Sequence, residues 1–448
     1  MKPVIHHLAE FARETRWKAL PPAVQAQCVR AFVNWVGCAV GGSTTPTANA
    51  AVKGLQSLGR APRSSVLGRA ERLDFTESAV ADCVSSSAHT FDDTHLKTIT
   101  HPTGPIAAPL LAWSQVQPMS GESLLEALAV GTEIECRIAT TICAPGSRVH
   151  QGWYMTGVAG GIGAAAALSR VMDLDHGSTV SAMSLAAVNA GGLRASHGSM
   201  AIAYVPAAAA QQGIVAAHLA RGGFTGGDIA IDGRNGLLPV LAPGATGARA
   251  TENIGSAFEL MENTFKPYPC GIVIHPAIDA CLEIVARHRF DPADIERVDL
   301  DVHSDALNLC WRKLPATELD AQVSLYHWVA AALLHGAAGI PEGEIACVQD
   351  ARVRALQEKI FPRVREGVAS DQANAVVSLS NGARYSADVD HALGSMGRPM
   401  TDAQLDAKFR GLARRALPES RVEELLAACR SLASLDDASR VARLGAQA

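Results

Sequence analysis

The chain has 448 residues, 48% of them hydrophobic, and a formal net charge of −5 at neutral pH. That much apolar material supports two or three domains with sizeable cores and excludes a disordered chain. With a negative balance and no basic run, nucleic acid is excluded as an expected partner.

Ten cysteines occur without a single Cys-x-x-Cys pair. This argues against a structural zinc site and fits reduced thiols in the cytoplasm. The first residues, Met-Lys-Pro-Val-Ile-His-His, lack the apolar core of a secretory signal. The most apolar window, 201–220, holds Gln211, Gln212 and His218. It reads as a buried helix and not as a membrane span.

In chain order, a helical texture rich in Ala and Gly runs from Leu8 to about Glu262. It predicts helices at 22–40, 76–90, 121–141, 156–172, 179–190 and 205–220. Small residues at this density suit helices packed closely together. Inside this stretch, His89-Thr-Phe-Asp92-Asp93-Thr-His95-Leu-Lys97-Thr-Ile-Thr-His101 gathers three histidines, two carboxylates and a lysine into thirteen residues. His, Lys and Asp are the usual groups that move protons, although such residues also occur in solvated loops. A short apolar helix follows at 106–113.

Two prolines break the texture at Lys266-Pro-Tyr-Pro-Cys270. Beyond them, 297–303 alternates as a half-buried strand. Residues 376–380, the turn Asn381-Gly382, and 384–389 read as a hairpin. Helices are expected between, at 276–288, 324–335 and 348–359. After Pro399 the chain returns to helix at 402–416 and 418–432. The expected architecture is therefore mainly α with an α+β lid. Residues 1–266 and 398–448 form a discontinuous all-helical domain, and 267–397 form the smaller α+β lid domain.

Gly161-Ile-Gly163-Ala-Ala-Ala166 fits a dinucleotide pattern formally but follows no strand, so it reads as close helix packing. Asp92, Asp93 and His95 could hold a divalent metal. Asp93 could equally pair with Lys97 or cap a helix. No metal and no cofactor are expected. The segment Arg194-Ala-Ser-His197-Gly-Ser-Met200 is either a loop over a site or an ordinary turn. Lys266 stands at the junction of the two expected domains, where ligand sites are favoured; as a bland alternative it is a hinge residue facing solvent.

Several motifs together carry a resemblance. They are Asp92-Asp93-Thr94 with His101-Pro-Thr-Gly, Gly152-Trp-Tyr-Met-Thr-Gly157, Gly223-Phe-Thr-Gly226, Phe265-Lys-Pro-Tyr-Pro-Cys270 and Pro399-Met-Thr-Asp402. In combination they resemble the MmgE/PrpD family, from the first helix to about Leu412. That family includes 2-methylcitrate dehydratase, cis-aconitate decarboxylase and iminodisuccinate epimerase. The resemblance implies a homodimer with a positively charged site between the two domains, for a small polycarboxylate. Asp93, Thr94, His101 and Lys266 match the family's motifs. Where the dehydratase and decarboxylase branches carry an Asp, a His and a Lys-containing segment, this chain has Thr90, Tyr154 and Met200-Ala-Ile202-Ala-Tyr204. The pattern looks closest to the iminodisuccinate epimerase branch.

The expected activity is thus a cofactor-independent epimerase that removes and returns an α-proton with two bases. Dehydratase or decarboxylase chemistry is the alternative, and an inactive carboxylate-binding relative is a third. Lys97, His101, Tyr154, Lys266 and His275 are the candidate catalytic groups. Tyr154 qualifies if nearby lysines lower its pKa. Asp93, Thr94, His95, Arg194, His197, Tyr268 and His327 are the candidates for substrate contact.

Overall fold

The structure, a computed structural model, describes residues 2–447. Proline opens helix α1 (Pro22–Gly42), where its fixed φ suits the first turn and its missing N–H needs no partner. Helix α2 (Phe75–Ser87) starts on a capping box made by Asp74 and Glu77. Five further helices of the body are α3 (Thr103–Ser114), α4 (Gly121–Ile142), α5 (Met155–Val171), α6 (His176–Ala187) and α7 (Ala201–Arg221).

Small residues set how these helices cross. A Cβ on Gly163 of α5 would stand 2.6 Å from the Gly131 carbonyl oxygen of α4. One on Gly213 of α7 would stand 2.4 Å from Ala164 Cβ of α5. The backbones meet where side chains would keep them apart. The Gly161–Ala166 segment therefore lies inside α5, packed against α4 and α7 and preceded by no strand.

Two short strands join distant parts of the chain. Strand β1 (Asp93–His95) pairs antiparallel with β2 (Asn263–Phe265), with Asp93 opposite Phe265 and His95 opposite Asn263. Three residues are too few for alternation to show in a sequence, so neither strand was expected. Helix α8 (His275–Arg287) then leads into a four-stranded sheet. Its strands are β3 (Ile295–Val302), β4 (Ile360–Val364), β5 (Ala373–Leu379) and β6 (Arg384–Val389), in the order β4-β3-β5-β6. β3 and β4 run parallel, and the other pairs are antiparallel. The β5–β6 hairpin turns at Gly382, whose φ of +84° suits glycine. Strand β4 was not expected because Pro362 interrupts it. It is tolerated because β4 is an edge strand. Helix α9 (Leu325–His335) packs in the same region.

The buried cores follow this division. Two are helical; one of them includes Phe32, Leu110, Phe409 and Leu425, and the other lies around α4, α5 and α6. A third is drawn from residues 270–392, with Ile99 packed against it from the helical side. After it, α10 (Asp402–Ala413) returns to α1, where Gly37 and Gly41 accept Phe409 and Leu412. α11 (Glu419–Arg430) follows. Mainly helical with one α+β portion is thus the fold class, as expected. Among the described residues, no helix is long and apolar enough to cross a membrane.

Candidate active site

The β1–β2 pair brings the two chemically rich segments of the sequence together. Its register puts adjacent carboxylates to different uses. Asp93 is buried and accepts from Thr103 Oγ1 and, at 2.6 Å, from Asn263 Nδ2. Asp92 points the other way. It accepts from Lys266 Nζ at 3.0 Å and from Ser87 Oγ at 3.2 Å. Lys266 is only 1% exposed and also donates to the Thr90 carbonyl at 3.1 Å.

His101 sits beside this pair. Its Nδ1 lies 2.7 Å from the Asp93 carbonyl oxygen. A carbonyl can only accept, so Nδ1 carries the proton and Nε2 keeps its lone pair. Among the described residues Nε2 has no hydrogen-bond partner. The Thr156 hydroxyl fixes the loop by accepting from the His101 backbone N–H at 2.9 Å. Tyr154 presents its ring edge-on to both His101, at 6.0 Å between centroids, and His197, at 5.9 Å.

These side chains line a cavity of about 60 Å³. Asp92, His101, Tyr154, Arg194, His197 and Lys266 form its polar side. Ile99, Ile202, Ile272, Val273, Leu309 and Val323 form an apolar wall. The formal charges are Asp92 against Lys266 and Arg194, which leaves one positive charge. The loop from Arg194 to Met200 therefore does lie over this cavity. Arg312 of the α+β portion ties it down by donating to the His197 carbonyl at 3.0 Å.

Burial dominates the protonation states. Burial alone would raise the Asp92 carboxyl, but His101, Lys266 and Ser87 together hold it below the usual range. Burial raises Asp93 to about 6. It lowers His101, against the pull of Asp92, and lowers His197 to about 4. Tyr154 is pushed well above its ordinary value, again by burial, with Asp92 adding to the rise. The expectation that lysines would lower it is reversed. The Lys266 charge is taken up by Asp92, so Tyr154 remains a phenol.

Other candidates stand elsewhere. Lys97 is half-exposed at the tip of a tight turn, closed by His95 N–H to the Thr100 carbonyl at 2.8 Å. Its Nζ is 3.6 Å from Glu259 and 3.4 Å from Glu262. It lines a different cleft, so the positive end falls to Lys266 and Arg194. His95 is fully buried between Thr98 and Glu259. Thr94 is buried and contacts His101 Nδ1 at 3.2 Å. Asp93 and Thr94 thus support the site from behind its wall. Tyr268 donates to Asp279. His275 is buried beside Tyr268 and lines a neighbouring cavity. His327 lies within the α+β portion, bonded to the Glu342 carbonyl at 2.7 Å. No cluster of three or more metal-binding side chains occurs among the described residues. Asp92, Asp93 and His95 each face a different partner.

Two site residues were not singled out from the sequence. Asp92 was weighed only as a possible metal ligand, and Asp93 was named for substrate contact. Neighbours in extended chain face opposite ways, but a strand of three residues is too short to read from sequence. Lys408 comes from α10. Its Nζ donates to the carbonyls of Phe91 at 2.7 Å and Lys266 at 2.9 Å, and to Asn34 Oδ1 at 2.7 Å. It lies 3.9 Å from the centre of the Phe91 ring. It therefore clamps the two backbone segments that carry Asp92 and Lys266. Nothing local to its helix marks it.

Residues 6–249 match the sequence model of the MmgE/PrpD N-terminal domain, and 268–433 match that of the MmgE/PrpD C-terminal domain. The second match runs past the point where the chain rejoins the helical core. The chain is 27% identical to the cis-aconitate decarboxylase of Homo sapiens, over 84% of this chain and 80% of that one. It is 26% identical to the Mus musculus cis-aconitate decarboxylase, over 85% and 80%. It is 24% identical to a cis-aconitate decarboxylase-like protein of Aspergillus oryzae, over 98% and 97%.

Proposed function

The chain belongs to the MmgE/PrpD family, and from that premise we propose that it is a lyase releasing carbon dioxide from a small unsaturated polycarboxylate. The names of its relatives support decarboxylation over epimerisation. The observation that carries the reading is the two-sided cavity. A charged end formed by Lys266, Asp92 and Arg194 faces an apolar wall that includes Ile99, Ile272 and Val273. A carboxylate held at the charged end stays paired. One held against the apolar wall loses its solvation, which favours its departure as neutral carbon dioxide.

The step balances without a cofactor. The bond to the departing carboxylate breaks, and its electron pair forms a new carbon–carbon double bond. The pair of the old double bond moves to the carbon beside the retained carboxylate, where Lys266 and Arg194 meet the developing charge. That carbon takes a proton from the Tyr154 phenol, which solvent then restores. One carbon dioxide leaves and one proton is gained.

Epimerisation remains the second reading on one observation. Nε2 of His101 keeps a free lone pair beside the protonated Tyr154, and inversion at an α-carbon needs such a base and acid. No relative named above is an epimerase. A panel of tricarboxylates and dicarboxylates, incubated with the enzyme in deuterated water and followed by NMR, separates the readings. Carbon dioxide release with one deuterium incorporated is expected. Deuterium exchange with the carbon skeleton intact would replace the lyase by the epimerase, and neither signal on any acid would leave a binding protein.

A homodimer belongs to the same proposal. Val188, Leu193, Tyr204, Leu219, Phe224 and Ile229 are exposed apolar residues within one stretch of chain. Exposed apolar residues gathered in one stretch of chain support a contact face, and a second copy is the occupant proposed.

A further inference from the structure

A second cavity, about 320 Å³, lies directly beside the site. Both cavities share three lining residues: Ile99 from the helical side, and Ile272 and Val273 from the lid. Those three side chains are the wall between them. The second cavity also holds His275, 1% exposed, whose two ring nitrogens have no hydrogen-bond partner among the described residues. Lys97, paired with Glu259 and Glu262, also lines it, as do Asp305 and Asp371, apart from the shared wall.

Ile99 is held there under strain. Its φ is +53°, a left-handed conformation that β-branched residues avoid. The turn around it is over-determined. His95 N–H donates to the Thr100 carbonyl at 2.8 Å, and Thr98 N–H to the His95 carbonyl at 3.2 Å. The hydroxyls of Thr98 and Thr100 lie 2.7 Å apart. Asn or Gly would adopt this conformation at lower cost. Strain kept at such a place points to a use for the side chain. The side chain of Ile99 packs on the lid core, so it closes the gap between the two domains where the two cavities meet.

We propose that Ile99 is a partition that sets the length of the acid the site accepts, by closing it off from the second cavity. Removing the side chain joins the two spaces. The enlarged site then takes polycarboxylates one or two carbons longer, their far end reaching the imidazole of His275. This rests on the polycarboxylate reading above.

The test compares the parent with Ile99→Ala and Ile99→Gly, in the full chain. Calorimetry measures binding of α,ω-dicarboxylates from glutarate to suberate. The parent is expected to lose affinity sharply beyond a cut-off length. Both variants should move that cut-off by one or two methylenes, each worth on the order of tenfold in affinity. Ile99→Gly should melt no lower than Ile99→Ala, because glycine relieves the φ strain. A length profile parallel to the parent's, in a folded variant, overturns the proposal. If the parent binds none of these acids, the polycarboxylate reading fails and a second readout decides. Cys310 lines the site cavity and is buried. Its labelling by methyl methanethiosulfonate, mapped by mass spectrometry, should quicken several-fold in both variants if the partition opens a route. An unchanged rate would then overturn the partition too.

Discussion

Lys266 Nζ and Asp92 Oδ1 stand 3.0 Å apart, and both side chains are cut off from solvent. Each residue lies next to one strand of the β1–β2 pair, so the register of three residues aligns a charge pair across 174 positions of chain.

Breaking that pair from one side should be severe. Lys266→Met leaves Asp92 buried without its cation, at a cost of about 3–5 kcal/mol. Lys266→Met combined with Asp92→Leu should cost less than Lys266→Met alone, because no uncompensated charge remains. Denaturant unfolding of the parent and the two variants measures the order. A double variant weaker than the single one would show that the pair matters by packing and not by charge.

Lys408 acts on the site through backbone. Lys408→Met should misplace the segments carrying Asp92 and Lys266 and lower turnover by about 10²-fold, the scale of a 1 Å misplacement. The substrate KM should change much less than kcat. Steady-state kinetics decides this, and parent-like kcat in a folded Lys408→Met would reduce the lysine to a surface clamp.

His275 gives stability an acid limb. Burial, and then Lys266, pushes its imidazole down to about 3, while the unfolded chain takes up the proton near pH ~6.5. Its neutral form costs nothing above that range. Below it, the unfolded state binds a proton that the fold refuses, and stability falls by about 1.4 kcal/mol per pH unit down to about 3. Between pH ~7 and ~5 the parent should therefore lose about 2 kcal/mol more than His275→Phe. Equal slopes in urea titrations at the two pH values would refute the assignment.

Gly163 tests what the glycine-rich segment is for. Gly163→Val would drive a side chain into the Gly131 carbonyl and should cost about 1–3 kcal/mol or more by overpacking. Thermal melting reads this directly. A nucleotide-dependent rise in melting temperature of the parent would argue instead for a phosphate loop.

The apolar face between Val188 and Ile229 should hold the dimer. Tyr204→Asp with Leu219→Asp is expected to halve the mass measured by light scattering, with far-ultraviolet circular dichroism unchanged. A parent that is itself a monomer would remove the face from consideration.

Period and composition were enough for most of the long helices, because burying one face of a helix leaves a mark on every third or fourth residue; Val4–Glu14 and Pro46–Gln56 were missed. The same signals were enough for the hairpin at Asn381-Gly382 and the α+β portion, and the family was legible as a resemblance carried by several local motifs together, since all of these are written in contiguous residues. The same local reading missed β4, where a proline hid an edge strand, and the three-residue strands β1 and β2. It noticed both chemically rich segments but could not know that they are neighbours. It preferred Asp93 to Asp92 and counted Lys97 into the cavity, because spacing does not say which way a side chain leaves a tight turn. Lys408, more than 140 residues from Lys266, bears no local sign at all. Which carboxylate meets the lysine, which imidazole nitrogen stays free, and how Ile99 divides two cavities are matters of contacts between distant segments. Only the packing of the helical body against the α+β portion creates those contacts, and with them the burial that sets each group's protonation.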